Sequence, residues 1–443
     1  MASDRHASVR RRAATVPAVP HTRGVASSGL PIITIPRRSH QRVAVALFVR
    51  VGSRYERESE NGVSHFLEHM LYRGTRSHAT AHAQALAFES LGSSLYAATA
   101  TDHGLLSLSL PPENLEPALR LLGEVVLSPR FSSIDVERRI VHEEMLESLD
   151  DDGRNINADD ILRGMVFEGH SLGFPITGTP SHLERFTERE LARHHAKTYV
   201  VANTALAIAG RFDERKVRRL ADEVFAELRP GVRAKTSKPK AGAAPKAKFV
   251  SSDGSQTDVR IGFRAPSEHD AREPATEMLL RVIDDGMSTR LYERICDERG
   301  LCYDVSASYE TFEDSGIFDF GAETQHARTT EVTREVLRLA EELATHGPTE
   351  AELDKARDRT AWQTRAMLDE ADELAGFFGL AEIARVTSSP ARRVSELVDV
   401  SREQVRDAAA QLFRRDNIWA VAVGVLGAKA EREFEKAVLT FGQ

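Results

Sequence analysis

Two spacings of hydrophobic residues alternate along the chain. PIITIPRR and RVAVALFVRVGS, within 31–53, are dense in apolar and β-branched residues and read as strands. Residues 61–73 and 79–91 change to helical spacing, and SLYAATATDHGLLSLSL (94–110) alternates again as a long strand or hairpin. Helices follow near 113–127 and 133–149. Strands first, then helices interleaved with further strands, predict an α+β fold in which helices cover a largely antiparallel sheet. No stretch approaches about 18 uninterrupted apolar residues, so no membrane span is expected.

The pattern then repeats. Thr187-Glu188-Arg189-Glu190 and Ser401-Arg402-Glu403-Gln404 are helix capping boxes 214 residues apart. At the same offset Asn203 meets Asn417 and Gly210 meets Gly424. In both places a helix runs into an apolar strand, TALAIAGRF and IWAVAVGVL, and then into a charged helix. Four matches at one offset with one element order point to a duplicated fold. A length of 443 residues fits two such halves. PGVRAKTSKPKAGAAPKAK (230–248) has no apolar periodicity and reads as a linker. The expected organisation is a disordered arm 1–28, a first half 29–229, a basic linker 230–250 and a second half 251–443.

Charge refines this picture. Residues 229–250 carry Arg229, Arg233, Lys235, Lys238, Lys240, Lys246 and Lys248 and no acid; residues 1–28 carry five arginines against Asp4. With a net charge of −8, the rest of the chain is therefore strongly acidic, which argues against a nucleic-acid partner. The arm shares the Arg-bearing, acid-poor composition of transit peptides but has no apolar core of a secretory signal. It reads as a disordered tail, with a mitochondrial address as the alternative. Cys296 and Cys302 are too few for a disulfide framework and read as packed thiols of a reducing compartment. The bacterial cytoplasm is the expected location and the mitochondrial matrix the alternative.

The chemistry concentrates in His65-Phe66-Leu67-Glu68-His69. On a helix, positions i, i+3 and i+4 share a face, so both imidazoles and the carboxylate point the same way. Two imidazoles one turn apart suit zinc, and the carboxylate suits a base that takes a proton from water activated by the metal. A catalytic zinc site needs a third ligand. In VERRIVHEEMLESL (136–149), Glu137 and Glu144 lie together on the flank of the apolar face, whereas Glu143 falls on the far side. Glu144 is the better-placed ligand, and Glu137, two turns earlier, an orienting carboxylate behind it.

These residues give the chain a clear resemblance to the pitrilysin/insulinase family of zinc peptidases. It is closest in kind to the half-length branch that includes the mitochondrial processing peptidase β subunit and bacterial relatives. Like the family pattern, His65-x-x-Glu68-His69 is followed by Glu144 after 74 intervening residues, with Glu137 seven before it. VGSRYE (51–56), GTRSHATA (74–81), GHSLGFPITGT (169–179), DDGMSTRLYERI (284–295) and GLCYDVSASY (300–309) extend the similarity from about residue 28 to the C-terminus. The resemblance implies two homologous halves, an enclosed peptide-binding chamber and a zinc endopeptidase with one Zn2+ per chain. It also implies a dimer, either of two copies or with a related chain. The alternative is a non-catalytic core subunit of a processing-peptidase-like complex.

Two positions depart from the family. A backbone-gripping Arg and Tyr usually lie seven residues apart in the second half; Tyr303 matches the Tyr, but Cys296 stands at the Arg position, with Arg294 and Arg299 nearby. The missing guanidinium is expected from a related chain, with Arg294 or Arg299 of a homodimer as second choice. The strand beside the metal usually reads Asn-Ala-aromatic-Thr, where this chain has Tyr96-Ala97-Ala98-Thr99. Tyr96 and Ala97 are still expected to line a substrate-pairing edge, because main-chain pairing does not depend on side-chain identity.

Overall fold

The computed structural model describes residues 16–240, 242–386 and 389–443. The first half holds strands β1 (Thr22–Val25), β2 (Pro31–Pro36), β3 (Val43–Val49), β4 (Tyr96–Thr99), β5 (Gly104–Leu110) and β6 (Thr204–Gly210). The second holds β7 (Lys246–Ser251), β8 (Thr257–Ala265), β9 (Cys302–Thr311), β10 (Gly316–Thr324) and β11 (Trp419–Gly424). The sheets run β1-β2-β6-β3-β5-β4 and β7-β11-β8-β10-β9. Apart from β1 the two orders are the same, down to one parallel pair in each, β2 with β6 and β7 with β11. The fold is thus α+β with a duplicated, largely antiparallel sheet, as the sequence pattern predicts.

The 214-residue offset holds at the level of single bonds. Both capping boxes form. Asn203 Nδ2 donates to the Thr198 carbonyl at 3.1 Å, and Asn417 Nδ2 to the Leu412 carbonyl, 214 positions on, at 2.8 Å. In each copy the asparagine ties the end of a helix to the strand that follows, closing carbonyls a helix C-terminus leaves open.

Each sheet packs one face on its own helices and lends the other face to the opposite half. Helix α5 (Ala158–Val166; α1 to α4 are described below) sets Leu162, Met165 and Val166 against Trp419, Val421 and Ile317 of the second sheet. Its counterpart, the helix Ala371–Ala384, sets Leu374, Ala375 and Phe378 against Ile33, Ala44, Phe48 and Ala207 of the first. This exchange explains why β3 and β6 are buried at every position: both faces are covered, so the strands are continuously apolar rather than alternating.

Two boundaries differ from the sequence reading. Part of the expected disordered arm is ordered: Thr22–Val25 pairs with β2, and Val19 is buried against Phe378 and its neighbours. A four-residue strand has too little periodicity to announce itself, and its order comes from pairing. Residues 1–15 lie outside the described residues. The linker is docked rather than free, because its carbonyls accept bonds from Arg50 at Ala234, His170 at Ser237 and Arg264 at Lys240. Its last residues, from Lys246, enter β7.

Candidate metal centre

Helix α1 (Val63–Met70) carries the His-x-x-Glu-His segment, and its start is tightly specified. Gly62 precedes it at φ +92°, where a Cβ would meet the Thr177 carbonyl oxygen at 2.4 Å, so only glycine fits. The buried carboxylate of Glu56 accepts from the main-chain N–H of Gly62 and Ser64 at 2.8 Å each and from Asn61 Nδ2 at 3.0 Å. It meets two donors that a helix N-terminus leaves free and favours the positive end of the helix dipole. Burial pushes its pKa up, and these bonds pull against that rise. Val63, Phe66, Leu67 and Met70 enter the core, which aims the opposite face outward.

Helices α2 (Ala81–Glu89) and α3 (Leu115–Leu127) follow α1 in the chain, and α4 (Ile134–Leu146) packs against it. Val141 and Met145 anchor α4 in the same core. One ligand-type atom from each of His65, His69 and Glu144 lies within 4.8 Å of the others, and among the described residues no other group of three does so. The two carboxylate oxygens divide between the rings: Oε1 is 3.4 Å from His65 Nε2, and Oε2 is 3.3 Å from His69 Nε2. Hydrogen bonds from His65 and then His69 hold the Glu144 carboxyl well below its usual range. Burial works to lower the His69 pKa, yet the bonds to Glu137 and Glu144 carry it up to about 9. The carboxylates of Glu137 and Glu144 thus favour positive charge on the His69 ring.

The orienting shell is asymmetric. His69 Nδ1 bonds Glu137 Oε1 at 2.9 Å, fixing this ring with Nε2 toward Glu144. Glu137 is 5% exposed, and its other oxygen is held by the Arg73 guanidinium. Among the described residues, the buried Nδ1 of His65 has no hydrogen-bond partner. Glu68 accepts a 2.7 Å bond from Thr99 Oγ1 on β4, and its charge is felt at His69, Tyr72 and Tyr199. The expected residues His65, Glu68, His69, Glu137 and Glu144 are therefore gathered in one place. Arg73 and Thr99 were not singled out from the sequence, although Arg73 lies four residues after His69, a spacing that could have flagged it.

The remaining expected residues are placed less simply. β4 is an edge of its sheet, with Tyr96 exposed and Ala97 buried. The Ala97 N–H is already taken by Tyr72 Oη at 2.6 Å, so one main-chain donor of that edge is occupied. Tyr303 is 93% exposed on β9, an edge of the other sheet. Arg294 is paired with Glu342, and Arg299 with Glu335 and Glu331, so both arginines near Cys296 are engaged. In the second half, the positions 214 after His65, Glu68 and His69 are Leu279, Val282 and Ile283, all buried.

Comparison with known proteins shows the family and the fold. Residues 32–179 match the family model described as Insulinase (Peptidase family M16), and residues 185–360 match the Peptidase M16 inactive domain. An uncharacterized zinc protease of Rickettsia bellii is 30% identical over 357 residues, 78% of this chain and 82% of that protein. One from Mycobacterium tuberculosis is 30% identical over 335 residues, 74% of this chain and 76% of that protein. A crystal structure of a protease from Helicobacter pylori superposes with a TM-score of 0.85 at 20% identity, covering 92% of this chain and all of that one. A chain of complex III2 from Candida albicans shares the fold at TM-score 0.74 and 17% identity, covering 93% of this chain and 99% of that one.

Proposed function

Because the chain belongs to the insulinase family, peptidase family M16, we propose that it is a zinc-dependent endopeptidase of peptides or unfolded segments. The observation that supports this reading most is the convergence of His65, His69 and Glu144 from two separate helices, with Glu68 on the same face of α1. In this reading those three side chains hold one zinc ion per chain. Zinc held there supplies Lewis acidity that polarises the scissile carbonyl and makes water a nucleophile near neutral pH.

This chain's own residues do the rest. Glu137, fixed by Arg73, accepts the Nδ1 proton of His69 and so keeps its Nε2 lone pair turned to the site. Thr99 occupies Glu68 Oε2, leaving Oε1 to take a proton from the attacking water and return it to the leaving amine. The open edge of β4 lays the substrate out as an added strand. With the Ala97 N–H engaged by Tyr72, the Ala97 carbonyl and Thr99 N–H are the groups left to pair. The second half, apolar where the first has ligands, is a non-catalytic wall that presents Tyr303. Pairing with a second copy or a related chain closes the chamber, and the engagement of Arg294 and Arg299 favours a related chain as source of the gripping guanidinium. The two zinc-protease relatives above are bacterial, and the bacterial cytoplasm is the location this reading takes.

The test is hydrolysis of an unfolded basic peptide by the wild type and by Glu68→Gln, alone and with a related chain. The variant keeps every metal ligand, so zinc content holds while the rate falls at least about 10²-fold. Wild-type hydrolysis absent in both formats overturns the assignment and leaves a non-catalytic assembly subunit; hydrolysis undiminished in the variant rules out Glu68 as its base.

A further inference from the structure

The chain has two cysteines, and the fold brings them together. Cys296 lies in the π-helical turn Glu293–Asp297, Cys302 opens β9, and their Sγ atoms are 3.8 Å apart. We propose that Cys296 and Cys302, packed thiols as the sequence suggests, are also an oxidation site that closes reversibly to an intramolecular disulfide.

The main chain between them is already shaped for closure. Gly300 N–H donates to the Cys296 carbonyl at 3.0 Å and Leu301 N–H to the Ile295 carbonyl at 2.8 Å, so the turn holds its own ends together. Gly300 supplies the tight step at φ +53°. Thr324 Oγ1 donates to the Leu301 carbonyl at 2.6 Å and the Arg328 guanidinium to the Gly300 carbonyl, which pins the turn from the neighbouring strand and the segment after it. A disulfide has its sulfurs about 2.05 Å apart, so the remaining approach is about 1.8 Å, within reach of side-chain rotation. Both thiols are half-buried against the second core, which leaves them open to a small oxidant.

Hydrogen peroxide suffices as the oxidant. One thiolate attacks a peroxide oxygen, breaking the O–O bond to give a sulfenic acid and hydroxide, which takes a proton to become water. The second sulfur then attacks the sulfenic sulfur, forming the S–S bond and expelling a second hydroxide that leaves as water. The pair loses two electrons and two protons, and a dithiol reductant returns them. Burial pushes both thiols up, Cys302 to about 12, so closure is faster at alkaline pH, where more thiolate is present. The bond would fix the turn ahead of the exposed edge strand β9, immediately before Tyr303. It forms or fails irrespective of whether the chain hydrolyses peptides.

The full chain, reduced and desalted, is treated with dilute hydrogen peroxide at pH 8. Free thiols fall from two to none, the intact mass drops by about 2 Da, a non-reducing peptide map links Cys296 to Cys302, and dithiothreitol restores both thiols. In Cys296→Ser the remaining thiol cannot be lost this way; with glutathione disulfide it gains about 305 Da instead. Wild type that keeps two thiols, gains oxygen without losing 2 Da, or forms disulfide-linked dimers overturns the proposal.

Discussion

Arg73→Met tests whether the shell behind His69 acts as described. The substitution keeps the aliphatic stem and removes the guanidinium that holds one oxygen of Glu137. Glu137 is 5% exposed, and breaking a buried ion pair by removing one partner costs about 3–5 kcal/mol. The Arg73 side chain is 18% exposed, which places the loss at the lower end, about 3 kcal/mol. Glu137, with its second oxygen released, then orients the His69 ring less firmly, and the expected loss of zinc affinity is about 10–100-fold. Urea unfolding of the metal-free protein gives the first quantity, and competition with a chromogenic chelator gives the second. The double variant Arg73→Met/Glu137→Gln separates them: removing the stranded charge restores part of the stability, while zinc binding stays weak. A single variant that loses less than about 0.5 kcal/mol and binds zinc within twofold of wild type would refute the reasoning.

Gly62→Ala is expected to cost at least about 1–3 kcal/mol, because it imposes a positive φ on alanine and drives Cβ into the Thr177 carbonyl; urea titration beside a neutral surface substitution checks it. Burial lowers the pKa of His194 to about 3 and of His195 to about 4, so both are neutral in the folded chain but charge near 6.5 when unfolded. Their contribution is complete above about pH 6.5 and is lost as pH falls toward 3–4, about 2 kcal/mol for each by pH 5. His194→Asn should flatten that acid slope in urea midpoints measured from pH 7.5 to 5, and parallel slopes for wild type and variant would count against it. Since His194 Nε2 lies 3.1 Å from Ser64 Oγ, acid should loosen α1 as well.

Much of this protein is legible in its sequence because the decisive signals are local. Two histidines one helical turn apart, capping boxes and an offset that carries Asn203 onto Asn417 need no knowledge of what lies across the fold. What escaped the sequence is non-local. The helix Ala371–Ala384 shows that it is apolar, but nothing in its spacing says that it covers Ile33 and Phe48 of the other half. Thr22–Val25 is ordered by pairing with β2 rather than by its own pattern. Thr99 and Arg73 matter through partners 31 and 64 residues away. The two cysteines, six residues apart, meet only because a glycine turn folds a helix end back onto a strand start.

The account turns on one ion held by three side chains. Zinc content of the purified chain after incubation with excess metal and desalting, measured for wild type and for Glu144→Gln, tests this most directly. About one zinc per chain in the wild type and loss of most of it in the variant is the predicted result, because two imidazoles alone do not complete a catalytic site. A wild type that holds no zinc, or a variant that keeps it at full occupancy, would contradict the account.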